Sequence, residues 1–592
     1  MVARAKAACE AVHSFDQAKT DALCAAMAKA AAGAALDLAR LAVEETGIGK
    51  VHYKVLKNLF GAEGTWASIK DEKTVGIISR NEQTGIVEVA TASGVVAGIV
   101  PTTNPTSTTI FKALIAVKGR NSIVISPHPR ARRCIGETVE VLRRAIERAG
   151  GPPDLVVCLP NPTIESTGAL MKHKDVALIL ATGGTGLVNA AYSSGRPAYG
   201  VGPGNVPCYI DRSADIPWAA QSIVTSQSFD NATLCCSEQG LVIDKPIAKQ
   251  LVDELEKRGA HICDEQETAK LAKLCNVRGH MNADVVGIDP HKIAEMAGFH
   301  VPRETSILCA WQGGVGKDFP LSIEILAPVL SLHLVDGWNE GCQVSLQMLA
   351  SDGLGHTLGI HAKDVRVLDA FFLEKPANRI IVNGPCSQGA VGYSTFLTPS
   401  FSLGCGPQAG NITSDNISAR HLVNIKRAAF PRRDWAAIET RDHQRAMDLS
   451  REGAPRGSGM AGDPAIGQRN LPPSSSAFSA PPSSNWQGNP AVFEKSAGTH
   501  VSPAATPRSK APPMSFGAAS APAPKYTAPA PAVQPTAPGS GTGGTKRSSP
   551  YVGAAFDAAE IQALMSHAGA GCPMGSCKGC PHHDVSTSSC GA

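Results

Sequence analysis

GVVAGIVPTTNPTSTTIFKALIAVKGRNSIVIS, residues 94–126, decides the fold class. Its first seven residues are apolar throughout, the mark of a strand buried on both faces. TSTTIFKALIAVKG (106–119) follows as a helix and NSIVIS (121–126) as a second strand. Toward the C-terminus the pattern repeats: RARRCIGETVEVLRRAIERAG (130–150) helical, DLVVCL (154–159) extended, TIESTGALMKH (163–173) helical, DVALILATG (175–183) extended. This alternation predicts an α/β fold, a parallel sheet joined by crossover helices. After residue 240 it resumes with LVIDKP (241–246), IAKQLVDELEKRG (247–259), SILCAW (306–311), EILAPVLSLHLV (324–335) and RIIVNG (379–384), which predicts a second α/β domain.

Toward the N-terminus, residues 1–47 carry Ala, Leu and charged residues at helical spacing and stop at Gly47-Ile48-Gly49, a helical layer. TVGIISR (74–80) and GIVEVA (85–90) are shorter β-branched runs. The expected divisions are 1–227 with a return segment at 412–440, 228–411, a linker at 441–549, a short helix at 550–571 and a tail at 572–592. The linker follows from composition: 18 of the 42 prolines fall within residues 451–550, among Ala, Ser and Gly. Such a stretch buries too little apolar surface to offset the entropy of ordering it.

Lys+Arg total 55 and Asp+Glu 51, a net charge of +4 spread evenly, so the footprint of a nucleic-acid binder is missing. No apolar run approaches the roughly 20 residues that span a bilayer, and MVARAKAACEAVHSF has no continuous apolar core, so a soluble intracellular protein is expected. The 17 cysteines are mostly scattered singly, as reduced core thiols would be. Cys235-Cys236 and the last four cysteines break that pattern.

Cys235 and Cys236 lie in SFDNATLCCSEQG (228–240), after a polar loop at the entry to the second domain. A thiolate there is a candidate nucleophile toward carbonyls; two structural thiols are the alternative. Asn104, directly after the apolar strand, offers an amide donor to an oxyanion and equally suits a strand-to-helix turn. DVALILATGGTGLVNAA (175–191) runs from a strand through Gly183, Gly184 and Gly186 into a helix, where missing Cβ atoms permit a dinucleotide to approach.

Together these segments resemble the CoA-acylating branch of the aldehyde dehydrogenase superfamily, over about residues 1–430. AVEETGIGK (42–50), PTTNPTSTTIFKALIA (101–116), NSIVISPHPRA (121–131), ATGGTGLVNAAYSSGRPAYGVGPGNVP (181–207), SFDNATLCCSEQG, RIIVNGPCSQGAVG (379–392) and SLGCGPQAGN (402–411) carry the resemblance, in the family's order. It implies a cofactor domain at 1–227, a catalytic thiol domain at 228–411, and Cys235 as nucleophile, six residues after the Phe of Phe-Asp-Asn. It makes Asn104 the oxyanion donor with the backbone N–H of Cys235. It places Pro101, Thr102, His128, Thr182, Gly183, Gly184, Thr185 and Gly202 around NAD and coenzyme A. Glu324 matches a Glu near the nicotinamide ribose and also reads as a solvated strand-end residue. His356 matches a His of the aldehyde-alcohol dehydrogenases and is a catalytic candidate, whereas His361 reads as structural.

Hydrolytic relatives carry a Glu-Leu-Gly-Gly-Lys-like segment whose Glu activates water. Here the corresponding stretch is VGPGNVP (201–207), with no carboxylate between Tyr199 and Asp211. Acyl transfer to CoA is therefore favoured over release of a free acid. The resemblance implies a short-chain aldehyde such as propionaldehyde or acetaldehyde, a homo-oligomer, and a cytoplasmic location inside a bacterial microcompartment. The alternatives are a hydrolytic dehydrogenase, or a scaffold or metal-binding assembly protein with an inactive dehydrogenase body.

PYVGAAFDAAEIQALMSHAGAG (550–571) reads as a short helix capped by Asp557 and Glu560, with Ile561, Leu564, Met565 and Ala568 on one face. It resembles the encapsulation peptides that carry enzymes into microcompartments, with shell or cargo proteins as partners; a frayed tail is the alternative. Cys572, Cys577, Cys580 and His582 are candidate ligands for zinc or an Fe–S cluster, in C-x4-C-x2-C-P-H-H.

Overall fold

The apolar run becomes the strand Val95–Val100, buried at every residue and central among five parallel strands. A computed structural model describes residues 1–452 of the chain. Ser122–Pro127 and Val156–Cys158 lie on one side of the central strand, Val176–Thr182 and Ala198–Val201 on the other. The chain thus changes its direction of travel across the sheet between Val95–Val100 and Val176–Thr182. The carboxyl ends of those strands form a crevice at this switch point.

Helix Pro105–Lys118 is buried along its whole length, packed against helices Gln17–Gly33 and Arg132–Arg148. Each Leu, Ile or Phe it buries is worth about 1.5–3 kcal/mol. In the N-terminal layer, Asp16 caps Gln17–Gly33 by accepting from Lys19 N (2.8 Å), and Gly47, at φ 68°, closes Ala35–Thr46. Among the described residues no single helix is long and apolar enough to cross a membrane.

A second sheet has seven parallel strands in the order Ala260–Ile262, Ile307–Trp311, Val329–Val335, Glu238–Asp244, Val206–Ile210, Gly355–His361 and Ala377–Val382. It claims Val206–Ile210, and helix Ile216–Ser228 packs on it, although a boundary at 227/228 is expected from the pattern. The shift of core falls near residue 205, because the fully buried strand Val206–Ile210 finds its partner in Glu238–Asp244.

EILAPVLSLHLV forms a strand only from Val329: Leu326 turns at φ 52° and Pro328 has no N–H for the ladder. Within the return segment, Val423–Ala429 joins Gly76–Asn81 and Ile86–Ala92 in a three-stranded antiparallel sheet. Where a linker is expected from residue 441, Trp435–Glu452 is helical, free of proline and begun by Asp434 Oδ1 accepting from Ala437 N (3.1 Å).

Candidate active site

At the end of Val95–Val100 the chain turns through Pro101–Asn104 and enters its buried helix with proline at the first position. Asn104 stands where a cap would, yet its side chain makes no capping bond. Its Oδ1 accepts from Lys57 Nζ (2.7 Å), while Nδ2 donates to the Thr233 carbonyl (3.0 Å) and to Thr103 Oγ1 (3.1 Å). An ordinary turn asparagine would spend its amide on the backbone two or three residues ahead. This one is tied to the loop that carries Cys235.

That loop turns through three consecutive non-glycine residues in the left-handed region, Asp230 (φ 50°), Asn231 (φ 54°) and Ala232 (φ 57°). Such backbone is costly and persists only where its surroundings over-determine it. Asp230 supplies most of the anchorage. Its carboxylate, fully buried, accepts from Lys57 Nζ (2.5 Å), Lys54 Nζ (3.1 Å), Lys50 N (2.7 Å) and Thr233 Oγ1 (2.9 Å). Burial opposes its charge, but Lys54 and Lys57 prevail and hold the carboxyl below its ordinary range. Gly49 is needed alongside, since a Cβ there would fall 2.1 Å from Asp230 Oδ1. Asn231 Nδ2 pins the other side, to Gly287 O (2.9 Å) and Asp289 Oδ1 (3.0 Å).

Beyond this turn, half-buried Cys235 lines a cavity of about 1050 Å³ at the switch point. Pro101, Thr102, Asn104 and His128 line it from one side of the crevice. Thr182, Gly183, Gly184, Gly202 and Glu324 line it as well. Thr185 begins the adjoining helix Thr185–Tyr192 and is itself outside the lining. His128 is held by its own turn, Nδ1 accepting from Arg130 N (3.1 Å). Cβ atoms built on Gly184, Gly186 and Gly202 meet nothing within 4 Å, so bare backbone faces the cavity there.

The two neighbouring thiols differ. Cys236 is fully buried, donates to Ser387 O (3.5 Å) and is pushed up to about 12 by burial. Cys235 is also raised well above an ordinary thiol, by burial and then by Cys236, Glu324 and Cys405. Glu324 sits in the turn before Val329–Val335 rather than at a solvated strand end; its Oε1 accepts from Gly204 N (2.8 Å), and burial raises it to about 7.

His356 is absent from the cavity wall. It is fully buried, Nδ1 paired with Thr357 Oγ1 (3.0 Å) and Nε2 unpartnered, and burial depresses it to about 3. A Cβ on Gly204 would fall 2.1 Å from Cys235 O and 3.1 Å from the His356 ring, so His356 lies behind the Cys235 loop and away from the cavity. The residue pattern does not reveal this, because a strand-borne His looks the same on either face. His361 is also buried, on the same strand.

Lysines supply what the motifs miss. Besides Lys54 and Lys57, fully buried Lys112 donates to Ile99 O (2.6 Å), Leu180 O (2.9 Å) and Thr182 Oγ1 (3.0 Å), bridging the two strands beneath the crevice. Its signal was a lone charge inside the apolar run IFKALIAV (110–117). Cys572, Cys577, Cys580 and His582 lie outside the described residues, as does the 550–571 segment. Among the described residues His261, Cys263 and Glu267 group within 4.8 Å, with Glu267 already engaged in a helix cap to Asp264 N (3.1 Å).

The sequence profile described as Aldehyde dehydrogenase family matches residues 1–270. The succinate-semialdehyde dehydrogenase (acetylating) of Clostridium kluyveri is 34% identical over 431 residues, covering 73% of this chain and 95% of that protein. The chain belongs to the aldehyde dehydrogenase family. An aldehyde-alcohol dehydrogenase of Clostridium acetobutylicum is 42% identical over 420 residues, 70% of this chain and 48% of the relative. The chain thus spans about half the length of the aldehyde-alcohol dehydrogenases it matches.

Among solved structures, an acetylating aldehyde dehydrogenase from Geobacillus thermoglucosidasius is 50% identical, with a TM-score of 0.72 over 73% of this chain and 96% of that one. A propionaldehyde dehydrogenase from the Clostridium phytofermentans fucose utilisation bacterial microcompartment is 28% identical (TM-score 0.66, 72% and 96% covered). The Rhodopseudomonas palustris propionaldehyde dehydrogenase, solved with bound CoA and an acylated cysteine, is 27% identical (TM-score 0.65, 72% and 96% covered).

Proposed function

We propose that this protein oxidises a short-chain aldehyde with a nicotinamide dinucleotide and passes the acyl group to coenzyme A through a thioester on Cys235. One observation carries the reading. The Asn104 amide, held by Lys57, reaches the Cys235 loop in a cavity whose one carboxylate among the described lining residues, Glu324, is bonded to Gly204 N. An amide beside the Cys235 loop supports oxyanion stabilisation, and the lack of a second carboxylate in the described lining supports acyl transfer over hydrolysis, with Glu324 as the group a hydrolytic enzyme would have to use.

In this reading the Cys235 thiol loses its proton to solvent and its sulfur adds to the aldehyde carbon. The carbonyl oxygen becomes an oxyanion that takes hydrogen bonds from Asn104 Nδ2, in place of Thr103, and from the Cys235 backbone N–H. A bound dinucleotide would supply the acceptor for the hydride that leaves this carbon as the oxyanion pair re-forms the carbonyl, which leaves a thioester on Cys235. Pro101, Thr102 and the Thr182–Gly184 turn would hold the dinucleotide, together with the start of Thr185–Tyr192; the bare glycine backbone there fits such a ligand. The CoA thiol then loses its proton to solvent, its sulfur forms a bond to the acyl carbon, the bond to Cys235 breaks, and the electron pair returns to Cys235.

The decisive experiment follows NADH formation from propionaldehyde and NAD, with and without CoA, in full-length protein and Cys235→Ala. Steady turnover that needs both CoA and Cys235 is expected. Steady NADH formation without CoA would make the enzyme hydrolytic, and an active Cys235→Ala would move the nucleophile elsewhere.

The sequence pattern, with a microcompartment relative among the solved structures, supports residues 550–571 as a docking helix for shell or cargo proteins in the compartment lumen. A chain ending at residue 549 should keep turnover and lose co-sedimentation with shell protein. Light scattering checks the homo-oligomer, and metal analysis of full-length protein against Cys577→Ser checks zinc or Fe–S at Cys572, Cys577, Cys580 and His582.

A further inference from the structure

HICDEQE (261–267) brings three metal-binding side chains to one corner of the second sheet, outside the lining of the Cys235 cavity. Strand Ala260–Ile262 is an edge of that sheet, and Cys263 extends it, its N–H donating to Cys309 O (2.8 Å). His261 and Cys263, two residues apart on extended backbone, face the same side. The chain then turns into helix Glu265–Cys275 through a capping box: Asp264 Oδ1 accepts from Glu267 N (2.8 Å), and Glu267 Oε2 accepts from Asp264 N (3.1 Å). That box folds the Glu267 side chain back toward the end of the strand. One ligand atom from each of His261, Cys263 and Glu267 consequently lies within 4.8 Å of the other two.

A histidine beside a carboxylate is by itself an ordinary contact, and His261 Nε2 lies 2.8 Å from Glu267 Oε2. Two features go beyond it. Cys263 is 5% exposed, its sulfur is aimed into the cluster, and its thiol makes no hydrogen bond among the described residues, whereas the thiols of Cys9, Cys134, Cys236 and Cys405 donate to carbonyl oxygens. Glu267 Oε1 also has no partner among the described residues, so the helix cap on Oε2 and a cation on Oε1 do not compete for one oxygen. The negative charge of this corner is not cancelled by a neighbour. Among the described residues Glu267 pairs with His261 alone, Asp264 pairs with no lysine or arginine, and Lys270 Nζ donates instead to Gly298 O (3.2 Å).

We propose that His261, Cys263 and Glu267 bind a divalent cation of the zinc class, with water in the fourth position. Imidazole nitrogen, thiolate and carboxylate together are a donor set that zinc takes, whereas calcium and magnesium take oxygen alone. Zinc bonds of about 2.0–2.3 Å at tetrahedral angles set ligand atoms about 3.3–3.7 Å apart, a spacing that small side-chain rotations reach from the present one. The His261 and Glu267 side chains are 30% and 19% exposed, so the ion enters from solvent and keeps a water on that side. On binding, the Cys263 S–H bond breaks, the proton passes to solvent and the sulfur pair bonds the metal; nothing is oxidised or reduced. The ion clamps the edge strand to the helix that follows it, whether or not Cys235 forms a thioester.

The test adds zinc alone to the full-length chain, stripped with EDTA, in which Cys572→Ser, Cys577→Ser and Cys580→Ser silence the tail. A chromophoric chelator competes for the ion and reads both stoichiometry and affinity. One zinc per chain at micromolar affinity or tighter is expected, and Cys263→Ala and His261→Gln should each lose it. Glu267→Gln keeps an oxygen for the cap and loses the charge, and its affinity should fall by about tenfold or more. Cobalt in place of zinc should give a sulfur-to-metal absorption band that Cys263→Ala lacks. A tail-silenced chain that takes up no zinc overturns the proposal, as does zinc held equally well by a folded Cys263→Ala or His261→Gln. Should neither of those variants fold, an unchanged affinity in Glu267→Gln overturns it.

Discussion

On the Asn104 side of Cys235, a buried aspartate meets two buried lysines; on the strand side, a buried arginine meets carbonyls and thiols. Asp230, Lys54 and Lys57 are 0–3% exposed and nearly saturate one another with hydrogen bonds, so their charges are consumed in holding a strained turn and one amide. Arg379 is equally buried, but its charge is left over. The contrast separates two uses of interior charge. A closed ion cluster fixes geometry, since breaking it leaves an uncompensated ion, whereas Arg379 ties Gly355 to the Ser414–Asn416 segment through neutral acceptors.

Asn104→Ala attacks the closed cluster's output and should show the largest effect of the variants that follow. Loss of one oxyanion donor is expected to lower kcat by about 10²–10³ with little change in KM, a split that steady-state kinetics resolves. Lys57→Met attacks the cluster itself. It leaves Asp230 with one lysine and Asn104 Oδ1 without its donor, and should cost about 3 kcal/mol or more of stability in denaturant unfolding, together with a smaller fall in kcat. Equal stability in this variant would mean that the lysines do not hold the turn.

Glu324→Gln sharpens the other side of the comparison. Burial raises this carboxyl from its ordinary 4.5 to about 7, so between those values the folded protein keeps a proton that the unfolded chain has released. Stability therefore falls as pH rises through that window, and Gln should flatten part of the slope in denaturant titrations at pH 5 and 7.5. Glu238, raised likewise to about 7, keeps the remainder. Because Glu324 opposes a charge on Cys235, the same variant should make Cys235 react with iodoacetamide faster at a given pH.

The smallest effect is expected at His356. A ring kept neutral by burial, lowered to about 3, does not titrate in the working range, so His356→Asn should leave the limbs of the pH–rate profile in place and change kcat less than Asn104→Ala. A lost or displaced limb would return His356 to the reacting groups.

Local pattern alone settled the α/β class and the glycine turn after Val176–Thr182, while the choice of Cys235 and Asn104 as site candidates came from the family resemblance. Apolar runs, helical spacing and turn residues act over a few neighbours, and a strand buried on both faces announces itself wherever it pairs. Pairing decided the rest. The second sheet claimed Val206–Ile210 ahead of the apparent boundary, Lys57 met Asn104 across 47 residues and Asp230 across 173, and His356 turned away from the cavity. Whether a buried charge is balanced depends on which groups share its few ångströms of low-dielectric space, and residues far apart along the chain supply them. Spacing in the sequence carries no record of that, which is why Lys57 and Arg379 became visible only in the folded molecule.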